Sequence, residues 1–103
     1  MAISRQREEA RAVFPADLQT VGSHTAVAVG PGSSTWLAKP DTATHVKLQA
    51  LGADVRYRVD EGEANLTTGF QLADGADTLA PAPNRGVSVI GEAVGVVQYQ
   101  WVR

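Results

Sequence analysis

From Val21 onward, apolar and polar positions alternate along the chain in short segments. The clearest case is 55–59, where Val55, Tyr57 and Val59 are separated by two arginines. Because successive side chains of a strand point to opposite faces, this pattern predicts a strand with three apolar side chains on a core. Six further predicted strands are SHTAVAVG, STWLAKP, THVKLQAL, GFQLA, GVSVIG and AVGVVQYQWVR.

Turn-forming residues separate the predicted strands, for example at 30–32, 74–75 and 81–84. Short strands at this spacing predict an all-β fold, either an antiparallel β-sandwich or a small β-barrel. Gly52 lies between THVKLQAL and DVRYRVD. It therefore favours a tight hairpin or a bulge joining those two strands.

The first 14 residues follow a different pattern. The segment SRQREEARAVF is rich in helix formers and ends at Phe14, before a proline that disfavours a helical residue in front of it. Such a short helix is unstable alone, so we predict an N-terminal arm or short helix that is ordered by docking, with a frayed terminus as the alternative. The predicted division is an arm at 1–20 and one β-sandwich domain at 21–103.

Composition narrows the classes of function. With 103 residues, 44% of them apolar but only 6% aromatic, the chain is expected to form one domain with a modest core that association would stabilise. A formal charge of −2 argues against nucleic acid as a partner. The absence of cysteine excludes disulfides, thiolate metal sites and cysteine catalysis.

Membrane insertion and secretion are not expected from the sequence. No apolar run approaches the roughly 20 residues of a membrane helix. The N-terminal segment also lacks the apolar stretch of a signal peptide. We therefore expect a protein made in the cytoplasm, with no membrane partner.

The candidate nucleotide-binding, metal-binding and catalytic motifs lack the residues or the spacing that their chemistry requires. The stretch GPGSST has Thr35 where a dinucleotide loop needs a third glycine, and it lacks the Gly-Lys-Ser/Thr of a phosphate loop. His24 and His45 have no neighbours at metal-ligand spacing. No serine is marked as a nucleophile. We predict no catalytic, cofactor-binding or metal-binding residue, and hence no enzyme.

The C-terminal half contains the segments VRYRVD, TGFQLADG, VIGEA and QYQWVR at 55–60, 68–75, 89–93 and 98–103. In these segments the chain resembles the small virion structural proteins of tailed bacteriophages. The resemblance implies a compact β-sandwich that serves as a capsid decoration (cement) protein. Proteins of that kind lie on the outside of the head shell, often as trimers, and reinforce it. The implied partners are the major capsid protein and further copies of the chain, with a trimer favoured, and the implied location is the capsid surface of the virion.

Two other functions remain open at this stage. A tail, connector or fibre-base protein of the same phage type fits the same features, and copy number per particle would distinguish it. A small carbohydrate-binding sandwich is the remote alternative, if Trp36, Tyr57, Tyr99 and Trp101 were exposed on one face. The apolar alternation around these aromatics instead predicts core or subunit-interface packing.

Arg56 and Arg58 are predicted to lie on the outward face, near Asp54, Asp60, Glu61 and Glu63. Exposed ion pairs contribute at most about 1 kcal/mol each, so we expect the arginines to select the register of an acidic partner rather than to hold the fold. The predicted partner-contact residues are Arg5, Arg7, Arg11, Phe14, Arg56 and Arg58.

Overall fold

A computed structural model describes residues 18–103 of the chain. These residues form eight strands and no helix. The strands are β1 (Thr20–Val29), β2 (Thr35–Ala38), β3 (His45–Leu51), β4 (Val55–Arg58), β5 (Phe70–Leu72), β6 (Asp77–Pro81), β7 (Gly86–Gly91) and β8 (Gly95–Val102). The first sheet has the antiparallel order β1-β8-β3-β6 and the second the antiparallel order β2-β7-β4-β5. The predicted all-β fold is confirmed, in the form of a sandwich.

The core lies between the two sheets and consists mainly of small aliphatic side chains. In β3, Leu48 is 1% exposed, and the buried positions alternate with half-buried ones as the sequence predicts. Trp101 of β8 is the one aromatic residue among the buried core side chains of the described chain. The inward side chains are Val46, Leu48, Ala50, Val97 and Trp101 from the first sheet and Leu37, Val55, Leu72, Val87 and Val89 from the second.

Strand β7 is buried along its whole length because both faces of it are covered. Val87 and Val89 face the core, and Ser88 lies on the outward face. There, residues 59–69, which we call the cover segment, fold back over the sheet. The Ala64 N–H donates to Ser88 Oγ at 2.9 Å, and Ala64 itself is 2% exposed. The cover segment is thus fixed to the middle of the second sheet.

An irregularity in β1 is accommodated by a buried glutamine. The register with β8 shifts between Val21 and Thr25, where Gly22 has a positive φ of 73°. The Gln100 side-chain amide donates to the carbonyls of Val21 and Gly22 at 3.2 and 3.0 Å. The Gln100 side chain thus binds the backbone of β1 at the point where the register shifts.

Two predictions about the elements were wrong. β3 and β4 do not form a hairpin around Gly52, because β3 pairs with β6 and β8 while β4 pairs with β5 and β7. β6 is absent from the predicted strands, because its last residue, Pro81, lies in the turn predicted at 81–84. A proline is compatible with this edge strand. β1 begins at Thr20, the last residue of the predicted arm. The rest of that arm, 1–17, lies outside the described residues.

Candidate functional site

Three of the segments that carry the sequence resemblance lie side by side in the second sheet. VRYRVD contains β4, TGFQLADG contains β5 and VIGEA ends β7, and these strands are neighbours in the order β7-β4-β5. Each segment contributes one side chain to a cluster of Arg56, Gln71 and Glu92. The first two meet at one carboxylate oxygen of Glu92. Gln71 Nε2 donates to Glu92 Oε2 at 3.0 Å, and Arg56 Nε lies 3.4 Å from the same oxygen. We call these three residues the Glu92 junction.

Arg56 is more enclosed than its sequence pattern suggests. It lies on the outward face as predicted, yet only 24% of its side chain is exposed. Its Nη1 donates to the Gly69 carbonyl at 3.3 Å, while its buried Nε has no hydrogen-bond acceptor among residues 18–103 and relies on the ion pair with Glu92. The acidic partner of Arg56 is therefore Glu92, which is distant in sequence, rather than one of its predicted neighbours.

Arg58 forms a two-pronged ion pair with Asp60. Arg58 Nε donates to Asp60 Oδ1 at 3.0 Å, and Nη2 donates to Oδ2 at 2.7 Å. The guanidinium also lies against Gly62, where a side chain would collide with it. The predicted contact with Asp60 is confirmed, but Glu61 pairs instead with Arg85. Both sequence-predicted arginines thus already have partners within the chain.

This ion pair has a defined pH response. The hydrogen bond from Arg58, with a smaller contribution from the Gly62 N–H, lowers the pKa of Asp60 below its ordinary value. The hydrogen bond to Asp60 in turn raises the pKa of Arg58. Since the folded pKa of Asp60 is depressed, the contribution of the pair to stability is present above the unfolded pKa of about 3.9 and is lost as the pH falls through the folded pKa.

We expect the Asp60 carboxyl carbon to titrate by NMR with a midpoint below the unfolded value of about 3.9. Arg58→Ala should move that midpoint up toward the unfolded value, because it removes the main donor. Lys47→Ala, which alters a cation of the first sheet that pairs with Asp77, should leave it in place. An Asp60 midpoint that is the same in wild type and Arg58→Ala would contradict the assigned cause.

Beside the ion pair is a groove with an exposed aromatic side chain. The Phe70 groove has a volume of about 480 Å³ and is lined by Arg58, Val59, Asp60, Thr68, Gly69 and Phe70. Phe70 is 65% exposed on the edge strand β5, with its ring centroid 5.7 Å from that of Tyr57. An apolar ring beside a charged pair at a sheet edge is suited to contact another protein surface.

A second depression lies on the outward side of β2. It has a volume of about 640 Å³, and its lining includes Trp36 and Glu61. Trp36 is 46% exposed. We call this surface the Trp36 depression.

The four candidate sugar-binding aromatics do not share an exposed face. Trp101 is buried, as the core interpretation predicts, and meets Tyr99 edge-on at 6.3 Å. Tyr57 and Tyr99 are half-buried against the core. Only Trp36 of the four is exposed, and it lies on the outward face of the second sheet.

The edge of β1 is a third candidate surface. Within residues 18–103, this ten-residue strand pairs with β8 alone. Its sequence, TVGSHTAVAV, contains no Asp, Glu, Lys or Arg. Proteins usually protect exposed edges with charges, prolines or short strands, as β2, β5 and β6 illustrate here by their lengths of three to five residues. β1 has a register shift between Val21 and Thr25 but is regular over Thr25–Val29, and this regular part is the edge best able to pair with another chain.

The structure also places the histidines. His24 Nε2 lies 2.9 Å from Gln98 Oε1, and His45 Nδ1 lies 2.9 Å from Thr44 Oγ1. Across residues 18–103, no three His, Asp or Glu side chains are grouped closely enough to hold a metal ion. The same residues contain no helix that could span a membrane.

Sequence reasoning identified only part of these surfaces. It predicted Arg56 and Arg58, but not Glu92, Phe70 or the Trp36 depression. The sequence holds no signal for the exposure of Phe70: alternation puts it on the inward face with Leu72, and it is exposed because the short strand β5 lies at the sheet edge. The other predicted contacts, Arg5, Arg7, Arg11 and Phe14, lie outside the described residues. Comparison with known protein families, curated proteins and solved structures finds no match to this chain.

Proposed function

We propose that this chain is a non-enzymatic structural protein of a tailed-phage virion, specifically a capsid decoration protein. In this role it binds the major capsid protein on the outside of the head and associates with further copies of itself as a trimer. The class is suggested by the resemblance of four segments to such proteins. It is supported by the way three of those segments form adjacent strands and meet at the Glu92 junction.

The observation that carries an assembly role is the edge of β1. A long, uncharged edge presents backbone donors and acceptors that a strand of another chain can satisfy. The modest core of this small domain would gain stability from such an addition. We assign one side of the contact between copies of the chain to this edge, because each contact in a three-fold ring joins two different surfaces.

Contact with the capsid protein is assigned to the Phe70 groove. An aromatic side chain that is mostly exposed in the free chain gains apolar burial when it enters a pocket of the partner. The Arg58–Asp60 pair at the rim supplies a polar border and fixes orientation rather than affinity. Repetition of this contact over the shell makes the total binding strong even where each contact is weak.

The test is binding of the purified chain to phage heads that lack it. We expect saturation at a copy number close to that of the capsid subunits, and Phe70→Ser should weaken binding at least about tenfold through the lost aromatic burial. Val94→Ser is the matched control, because Val94 is 82% exposed and lies in the β7–β8 turn, and it should bind as wild type does. Saturation at a few copies per particle would favour the tail or connector role, and no binding to particles would contradict the proposal.

A further inference from the structure

The Trp36 depression has the features of a ligand site that the decoration role does not require. Its polar lining consists of Lys39, Asp41, Glu61, Asn84 and Arg85. These residues come from the end of β2, the cover segment and the turn before β7, so the site is assembled from three parts of the chain. We propose that the Trp36 depression binds a neutral saccharide.

The aromatic platform packs against the backbone of β7. Trp36 packs over Gly86, where an added Cβ would lie 2.6 Å from Cζ2 of the indole and would also collide with the Leu37 carbonyl. The absence of a side chain at position 86 therefore lets the indole lie close to the backbone of β7. The 46% of Trp36 that stays exposed is an apolar surface on which the apolar face of a pyranose ring can stack.

Polar groups beside the platform are oriented by bonds to the backbone. Asn84 Nδ2 donates to the Val59 carbonyl at 2.8 Å, which leaves its Oδ1 as an acceptor. Lys39 Nζ donates to the Ala43 carbonyl at 2.9 Å and has donors to spare. The Asp41 carboxylate adds further acceptors. Sugar hydroxyls both donate and accept, so a mixed set of this kind suits them.

Glu61 connects two parts of the depression. It is the single non-glycine residue with positive φ in the described part of the chain, at 70°. Its carboxylate accepts from Arg85 Nε at 3.1 Å, which links the cover segment to the turn before β7 across the depression. The positive φ belongs to a turn in which the Gly62 N–H donates to Asp60 Oδ1 at 3.2 Å. This turn places Glu61 in the lining of the depression with the exposed indole.

The charges of the depression indicate a neutral ligand. Lys39 and Arg85 are balanced by Asp41 and Glu61, and Arg85 is already paired. An acidic saccharide would need an excess of cations, which this lining does not have. The proposal does not depend on the decoration role, because it concerns a different surface from the β1 edge and the Phe70 groove.

The test uses the full chain with cellotetraose, maltotetraose and chitotetraose as neutral probes and tetragalacturonate as the acidic one. The chain has two tryptophans, so its NMR spectrum gives two indole N–H signals. We expect at least one neutral probe to shift the Trp36 signal in a saturable way while the signal of buried Trp101 stays in place. Binding of the acidic probe alone, or of no probe, would overturn the proposal.

Two variants complete the test. Trp36→Ala should weaken binding at least about tenfold through loss of stacking, while Leu66→Ala, which truncates another exposed apolar side chain, should not change it. If circular dichroism shows that Trp36→Ala does not fold, Asp41→Asn takes its place in the binding test. This exposed residue can lose its charge without loss of packing. Severalfold weaker binding by Asp41→Asn is expected, and unchanged affinity would overturn the assigned site.

Discussion

Leu48→Ala is expected to lower the free energy of unfolding by about 3 kcal/mol. Leu48 is the largest of the fully buried side chains in the described chain and lies at the centre of β3, between β6 and β8. Truncation removes its transfer free energy and leaves a cavity that the two packed sheets can close only in part. Because domains of this size have total stabilities of about 5–15 kcal/mol, the loss is a large fraction of the whole.

Leu66→Ala is the matched control for this prediction. The same atoms are removed, but Leu66 is 45% exposed in the cover segment, so the expected change is within about 0.5 kcal/mol. Urea unfolding followed by circular dichroism measures both variants. Similar losses in the two variants would contradict the assignment of the core to the space between the sheets.

Ala26→Lys is expected to convert the proposed trimer into monomers. Ala26 is exposed on β1, where it pairs with Gln98 of the outward face, so the isolated fold should accept the longer side chain. A lysine on an edge strand must be desolvated when a second strand pairs there, which is how many natural proteins block edge association. The association constant should fall by at least about a hundredfold, because the substitution places an unpaired lysine charge in the interface between two strands.

Ala73→Lys provides the control for this change. Ala73 is an exposed alanine in the turn after β5, so the substitution adds the same charge away from the β1 edge. Sedimentation equilibrium should show a trimer for wild type and for Ala73→Lys, and a monomer for Ala26→Lys. A wild-type monomer, or an Ala26→Lys trimer, would contradict the assignment of self-association to this edge.

The sequence predicted which side chains of a strand point inward better than it predicted which strands pair with each other. Alternation placed Leu48 and Trp101 in the core and both arginines on the outward face, because the two-residue period is a local property. Pairing is not local here: of the six strand ladders, only β4–β5 joins consecutive strands. The hairpin expected at Gly52 failed for this reason.

The same limit applies to the candidate sites. The Arg58–Asp60 pair spans two residues and was predictable, whereas the ion pair of Arg56 with Glu92 depends on β4 lying beside β7. The Trp36 depression likewise needs β2 to pair with β7, since only then does Gly86 lie beneath the indole. Sequence periodicity contains no information on such contacts between distant strands.

Cryo-electron microscopy of intact particles of the phage proposed to encode the chain tests the central claim most directly. The proposed function predicts density for the sandwich repeated over the whole icosahedral shell, with the Phe70 groove toward the capsid protein and β1 edges between copies. Density confined to the tail or to one vertex, or particles that do not contain the chain, would contradict it.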